Sequence, residues 1–330
     1  MKKNRILIDY QTIDKPWGGS NSFIAALKEY LSSLENVELT SDKCSDQDLL
    51  LLNTAYTAPG KYISLRKIER YRKYGYSSLF KYILNGFKKN EIKIVLRLDG
   101  LRQNYADTPE TKGDIIQLAL IKLADAIIFQ SNESVNQFNN IVENLNSLYY
   151  VVHNGVNQNI FNMEGKTYWN KKDKLKIFAT SWSKNLNKGF EEISKFSQYD
   201  EVIVNFVGNW PEEVNPGKVH RKPPMPQHLL AEEYRKNDVF LFPSRGEACP
   251  NVVYEALSCG LPVMYHPSGG TPEIASRYGI ELGGNLSESI DKIANNYDNL
   301  MANIKKDHIH FSISYAGDKY LKVMQKVLKD

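Results

Sequence analysis

Short apolar runs alternate along the whole chain with longer segments whose apolar positions recur at helical spacing. A run such as Leu49 to Leu52 is too short for a helix and lacks the polar alternation of a half-exposed strand, so it reads as a strand buried on both faces. Strands separated by helical segments, repeated many times, are the mark of parallel sheets covered by helices, an α/β fold. In the first half the expected strands are Arg5 to Ile8, Leu49 to Leu52, Ile92 to Leu96, Ala126 to Phe129 and Tyr149 to Val152. In the second half they are Lys176 to Ala179, Val202 to Val207, Val239 to Phe242 and Pro262 to Tyr265. The segment Ser20 to Leu31 opens with capping residues and places Phe23, Ala26, Leu27, Tyr30 and Leu31 on one face, which predicts a helix starting soon after Gly18-Gly19. Ser312 to Lys329 predicts a last helix with Tyr315, Tyr320, Val323 and Val327 at its apolar positions.

The rhythm is interrupted once. Asn154-Gly155-Val156-Asn157 ends the first set of elements, and Asn162 to Lys174 is polar without periodicity, as an interdomain connection should be. This divides the chain into domains of residues 1–160 and 161–330, with the final helix (about 312–329) a candidate to return to the first domain. A length of 330 residues, 42% hydrophobic and 24% charged, suits two globular domains and excludes a disordered chain. The balance of 42 basic against 38 acidic side chains gives 42 − 38 = +4, too small for wholesale nucleic-acid binding. No apolar run approaches the roughly 20 residues of a membrane span, and the apolar stretch after Met1 is too short for a signal peptide, so the expected location is cytoplasmic. Cys44, Cys249 and Cys259 lack the spacing of a zinc site or a disulfide framework and read as reduced, buried thiols.

Chemistry concentrates in Phe240 to Val263, which reads as strand, loop, helix, strand, with Pro250 suited to the helix start and Gly260 to its end. Open α/β sheets bind ligands outside the carboxyl ends of their strands. The loop residues Glu247, Ala248, Cys249, Pro250 and Asn251 fall there, as does the helix start leading to Glu255. Amides at a helix start donate to sugar hydroxyls or phosphate oxygens, and two carboxylates separated by seven residues can hold two hydroxyl-bearing parts of one ligand. Such a pair taken alone also suits a solvated surface. In the first half, Gly18 and Gly19 lie between a strand and a helix, where backbone amides can approach a phosphate, but without the G-x-G-x-x-G spacing of a nicotinamide enzyme.

Glu247, seven residues, then Glu255 resembles the signature of the retaining nucleotide-sugar glycosyltransferases of family four, among the group 1 glycosyl transferases. Asn237 to Ser244 is similar to that family's "aDvfvlPS", Gly260 to Val263 to its "GlPV" and Ser268 to Glu273 to its "GGxpE". Lys188-Gly189 resembles its "KG", His153 to Phe161 its "NGVDxxxF", and Gly18-Gly19 its glycine-rich loop. The chain departs from the family where Lys184 stands in place of the arginine that usually accompanies the lysine, and near Leu98, where many relatives carry a histidine; Arg97 or Asp99 is the candidate to replace it.

The resemblance implies a GT-B fold, two Rossmann-like domains facing a central cleft, with the acceptor on the side of the first and the nucleotide-sugar bound by the second. It implies retaining transfer of a hexose-type sugar to an acceptor hydroxyl, in surface polysaccharide or glycoconjugate synthesis, with no metal and no cofactor, a UDP-sugar being favoured over a GDP-sugar. Lys188, Glu247 and Asp99 are the implied catalytic residues. Gly18, Gly19, Lys184, Lys188, Glu247, Ala248, Cys249, Pro250, Asn251 and Glu255 are the implied donor site, with Lys188 on the diphosphate and Glu255 on the ribose. The implied acceptor is a glycan or a lipid-linked glycan. Lys61 to Lys93 holds ten cations against Glu69 and Glu91, interleaved with Tyr62, Ile63, Leu65, Tyr71, Tyr74, Tyr76, Leu79 and Phe80, which suits either a solvated helix face or peripheral contact with anionic lipid on the cytoplasmic membrane face. Two other functions fit an α/β chain of this kind. An epimerase would need an acid and base pair around the sugar ring, which no motif supplies, and a sugar-binding module would bind the donor without turnover.

Overall fold

The computed structural model describes residues 3–13, 18–41, 47–101, 103, 111–142 and 148–329. Cys44, singled out from the sequence, lies outside the described residues. The chain forms two compact units. The first comprises Met1–Ile13, Ser20–His153 and Ala316–Asp330, and the second Asp14–Gly19 and Asn154–Tyr315.

The first unit is built from β1 (Asn4–Ile8), α1 (Gly18–Ser32), β2 (Val37–Leu39), β3 (Leu49–Asn53), β4 (Tyr56–Ala58), β5 (Lys61–Tyr62), α2 (Leu65–Tyr74), α3 (Leu79–Leu84), β6 (Lys93–Leu98), α4 (Lys112–Ile121), β7 (Ala126–Phe129), α5 (Asn132–Asn139) and β8 (Leu148–Val151). Its main sheet runs β2-β1-β3-β6-β7-β8 and its pairs are parallel, while β4 and β5 form an antiparallel hairpin at the end of β3. Every residue of β3 and β7 is buried, as continuous apolar runs in the middle of a parallel sheet require. The helix α1 begins at Gly18, two residues before the expected start, so both glycines belong to its first turn. Phe23, Ala26, Leu27 and Leu31 are buried as the periodicity predicts, and Tyr30 is half-buried.

The second unit follows with β9 (Leu175–Ser181), α6 (Phe190–Phe196), β10 (Val202–Gly208), β11 (His220–Lys222), α7 (Gln227–Arg235), β12 (Val239–Phe242), α8 (Asn251–Ser258), β13 (Val263–Tyr265), α9 (Thr271–Ala275), β14 (Gly279–Glu281) and α10 (Leu286–Asp307). Its sheet is parallel, in the order β11-β10-β9-β12-β13-β14. The chain builds outward from β9 through β10 to β11, then returns to the other side of β9 with β12. That reversal makes the adjacent carboxyl ends of β9 and β12 a topological switch point, where doubly wound sheets bind their ligands. The core here is aromatic: Phe178, Tyr234 and Phe240 lie in mutual ring contact between β9, α7 and β12. The last helix α11 (Ile313–Lys329) leaves the second unit after Tyr315 and belongs from Ala316 onward to the first, with Tyr320, Val323, Met324 and Val327 buried. Cys249 and Cys259 are buried free thiols, and burial pushes the Cys259 thiol up to about 12. Among the described residues no helix is long and apolar enough to cross a membrane.

Candidate functional site

The residues singled out in the second half meet at the switch point. After β9 the chain turns through Leu186–Lys188 in a short 3-10 helix, initiated by Asn185, whose side chain accepts from the amide of Asn187 at 3.0 Å. The turn closes on Gly189, whose φ of +75° suits glycine, and a methyl group there would stand 2.6 Å from the Pro243 ring. Glycine therefore lets the lysine turn lie against the end of β12. The amide of Arg245 donates to the carbonyl of Asn187 at 3.0 Å and joins the two loops through their backbones.

That junction places Lys188 Nζ on Glu247 Oε1 as an ion pair, with the Ser244 hydroxyl donating to the same oxygen at 3.1 Å. Both charged side chains keep access to solvent, 27% exposed for Lys188 and 28% for Glu247. Burial alone would raise the Glu247 carboxyl, but the Lys188 charge and the two hydrogen bonds outweigh it and hold the group below its ordinary value. The Glu247 carboxyl is thus ionised at neutral pH beside the lysine, and both side chains stay partly exposed.

The loop carrying Glu247 is held from three directions. From one, the Gly270 amide donates to the Glu247 carbonyl at 2.8 Å and the Gly246 amide to the Ser268 hydroxyl at 3.0 Å. Gly269, at φ +64°, lies so close that a methyl group on it would stand 2.3 Å from the Glu247 carbonyl oxygen. His266 Nδ1 meets the Ser268 hydroxyl at 2.9 Å, and burial, with the Arg245 charge, lowers the affinity of its ring for a second proton. From another, Asn154 binds the loop beyond Glu247: its amide meets Cys249 Sγ at 3.3 Å, and its side chain donates to the Cys249 carbonyl at 3.1 Å and to Asn251 Oδ1 at 2.7 Å. From the third, Asn251 at the start of α8 donates to the carbonyl of Gly19 at 2.7 Å, within the second unit. Ala248 and Cys249 are buried and Pro250 stands as the residue before the helix.

One turn into α8 the environment changes. Glu255 is 6% exposed, and its Oε2 accepts from the Tyr234 hydroxyl at 3.1 Å, which also lies 3.3 Å from the Val252 carbonyl. Burial pushes the Glu255 carboxyl up to about 7, and the Tyr234 hydrogen bond only partly opposes it. Tyr234 is itself fully buried and its hydroxyl is held well above its ordinary value, so it acts as a donor.

The remaining predicted residues are arranged differently. Lys184 reaches Glu212 at 3.5 Å on the surface, whereas Arg245, unmarked in the sequence, adjoins the Glu247 loop and pairs with Glu192 at 3.2 Å. Gly18 is exposed at φ +59°. In the first unit Arg97 is 1% exposed: its guanidinium donates to Asn53 Oδ1 at 2.7 Å and to the Tyr320 hydroxyl at 3.1 Å and lies 4.5 Å from the centre of the Phe23 ring. Arg97 is thus held by side chains inside the first unit, and Asp99, just after β6, is half-exposed. Ser244, Asn154, Ser268 and Tyr234 are the site residues that sequence reasoning missed. The first three stand inside quoted motifs, and Tyr234 carries no signal of its own beyond apolar periodicity.

Two parallel α/β units, one with a charged pair at its switch point, define a GT-B glycosyltransferase fold. Residues 168–303 match the family described as glycosyl transferases group 1, the broader group to which the motifs between Lys188 and Glu273 pointed. Sucrose-phosphate synthase from Thermosynechococcus elongatus is similar in structure over 99% of this chain and 100% of its own, with a TM-score of 0.68 at 15% identity. HepE from Anabaena, in complex with UDP-glucose, aligns over 98% of this chain and 99% of its own, with a TM-score of 0.64 at 13% identity. The catalytic domain of starch synthase IV from Arabidopsis thaliana, bound to ADP and acarbose, aligns over the full length of both chains, with a TM-score of 0.63 at 10% identity. No curated protein matches by sequence.

Proposed function

We propose that the chain is a metal-independent, retaining glycosyltransferase that moves a hexose-type sugar from a nucleotide-sugar, a UDP-sugar before a GDP-sugar, to a hydroxyl of a glycan or lipid-linked acceptor. Donor binding belongs to the second unit and acceptor binding to the first. The observation that carries this reading is the Lys188–Glu247 pair, fixed by Ser244 and by three sets of loop contacts at the switch point of a parallel sheet. A diphosphate leaving group gains negative charge as the sugar bond breaks, and a preformed cation in a partly dry site stabilises it without a metal. Lys188 supplies that cation, with Glu247 holding its ammonium in place and facing the sugar hydroxyls. Glu255 accepts from the ribose hydroxyls, and Asp99 serves the acceptor side. Retention follows if the departing phosphate itself takes the acceptor proton on the face it leaves. The setting is cytoplasmic glycoconjugate or polysaccharide synthesis, with the segment Lys61 to Lys93 in peripheral contact with the membrane.

The test begins with thermal shifts on UDP, GDP and ADP. UDP should raise the melting temperature most, and the corresponding UDP-sugar should release UDP faster when acceptor is added. NMR of the first product should show the anomeric configuration of the donor. Absence of a shift with every nucleotide, or an inverted product, overturns the reading.

A further inference from the structure

The segment from Lys61 to Lys93 is basic in sequence, but its apolar residues do not share one environment. Ile63, Ile68, Tyr71 and Tyr76 are buried in the first unit. Leu79, Phe80, Ile83, Leu84 and Phe87 are exposed, Phe80 and Leu84 at 67% and Phe87 at 64%. No other stretch of the described residues gathers as many exposed large apolar side chains. The backbone presents them deliberately. Ser78 caps α3 by accepting from the Lys81 amide at 3.3 Å, and Tyr82 fastens the inner face through ring contacts with Tyr74 at 4.8 Å and Phe87 at 5.6 Å. At about 100° per residue, Leu79, Phe80, Ile83 and Leu84 fall within an arc of roughly 140°, with Lys81 and Tyr82 outside it. After α3, Gly86 and Phe87 both take positive φ, +64° and +61°, which turns the chain so that Phe87 stays at the surface beside the helix.

The flanking charge is predominantly positive, with Glu69 and Glu91 as the exposed acidic exceptions. Arg72 is committed to Asp125 at 2.8 Å and Lys67 to Asp9 at 3.1 Å, while Arg70, Lys73, Lys88 and Lys89 are exposed. We propose that α3 and Phe87 form a membrane-inserting element: the apolar arc enters the interfacial layer of an anionic bilayer and the neighbouring cations contact the headgroups. An apolar arc rimmed by lysine and arginine is the composition that binds at such an interface. A second copy of the chain is the poorer occupant. A two-fold axis through so small a patch would bring Lys88 and Lys89 near their own copies, and one six-residue helix falls far short of the roughly 1,000 Å² of a stable contact. The inference deepens the proposed function, since it rests on that reading's lipid-linked acceptor and names the part of the chain that meets the lipid by insertion rather than by charge alone.

Flotation of the full chain with vesicles of phosphatidylcholine, with and without phosphatidylglycerol, tests it beside two double variants. The parent should float with anionic vesicles and retain a measurable share of binding in high salt, because inserted apolar area is not screened. Phe80→Glu/Leu84→Glu should weaken partitioning by at least about tenfold at any salt concentration, whereas Lys88→Ala/Lys89→Ala should weaken it a few-fold and mainly at low salt. Equal flotation of Phe80→Glu/Leu84→Glu and parent, or parent binding wholly abolished by salt, overturns insertion. So does parent self-association without lipid that the glutamate variant abolishes. UDP-induced thermal stabilisation, unaffected by either double variant, reports separately on the donor site: its absence counts against the proposed function, while flotation alone decides the role of α3.

Discussion

Glu247 and Glu255 lie on consecutive pieces of one strand-loop-helix unit, yet the structure treats them as different reagents. Glu247 sits on a loop clamped by backbone contacts, receives Lys188 and Ser244, keeps some access to water and is held ionised. Glu255 sits inside a helix, receives only the neutral Tyr234 hydroxyl among the contacts described, and is pushed to about 7. The difference teaches that spacing two carboxylates by a fixed number of residues does not make them a pair. One is a charge fixed by a partner, and the other is a charge waiting for one.

The comparison breaks first, and hardest, at Lys188. Replacing it with alanine removes the cation proposed for the leaving diphosphate and strands Glu247, and sugar transfer should fall by on the order of 10²- to 10³-fold. Turnover near that of the parent would assign the diphosphate elsewhere. Glu247→Gln keeps the shape but removes the charge that steadies the ammonium, and a loss of about 10²-fold in kcat, with little change in nucleotide affinity, is the expected split.

Glu255 should show its difference as a dependence on pH. Its folded-state value of about 7 lies above the ordinary 4.5, so the folded chain holds this proton more tightly than the unfolded chain. The favourable contribution is complete at pH below the ordinary value and is lost as pH climbs toward and through 7. Glu255→Gln avoids that loss, so the variant should melt higher than the parent at pH 8, by a few degrees, with the gap closing by about pH 5. Its UDP-induced stabilisation should be weaker, and should lack the rise between pH 6 and 8 that the parent owes to ionisation of Glu255. Melting curves of parent and variant that run parallel with pH would show Glu255 to be an ordinary carboxylate.

The smallest effect belongs to Tyr234→Phe, which leaves the ring packing on Phe178 and Phe240 intact and removes a single hydroxyl worth about 1 kcal/mol. Nucleotide binding should weaken a few-fold, with its pH midpoint displaced upward, because the hydroxyl favours the ionised carboxylate. An unmoved midpoint would reduce Tyr234 to packing alone.

The fold was legible where burial is uniform. The strands Ala126–Phe129 and Val239–Phe242 were read to the residue, because a wholly apolar run bounded by polar positions has few other interpretations. Val37–Leu39, His220–Lys222 and Gly279–Glu281 were missed, since strands at sheet edges are short and partly exposed and so carry neither signal. In the site, the motifs brought attention to Lys188 and Glu247 but gave no sign that they meet each other. Asn154 and Cys249 are ninety-five residues apart, and a hydrogen bond between a side chain and a distant backbone leaves no periodic trace. The basic segment was misread in detail. Sequence interleaves Tyr71 and Tyr76 with Leu79 and Phe80 as equivalents, but the first two are buried in the first unit and the last two are exposed on α3.

The guanidinium of Arg97 has a consequence for how the molecule is made. It is buried in the first unit against Tyr320, a partner that leaves the ribosome 223 residues later. The first unit therefore spends most of its synthesis with an arginine whose final hydrogen bond cannot yet form, while the second unit, continuous from Asn154 to Tyr315, has nearly all its sequence in hand before Tyr320 emerges. Order of translation and order of completion are reversed: the unit begun first is the one finished last.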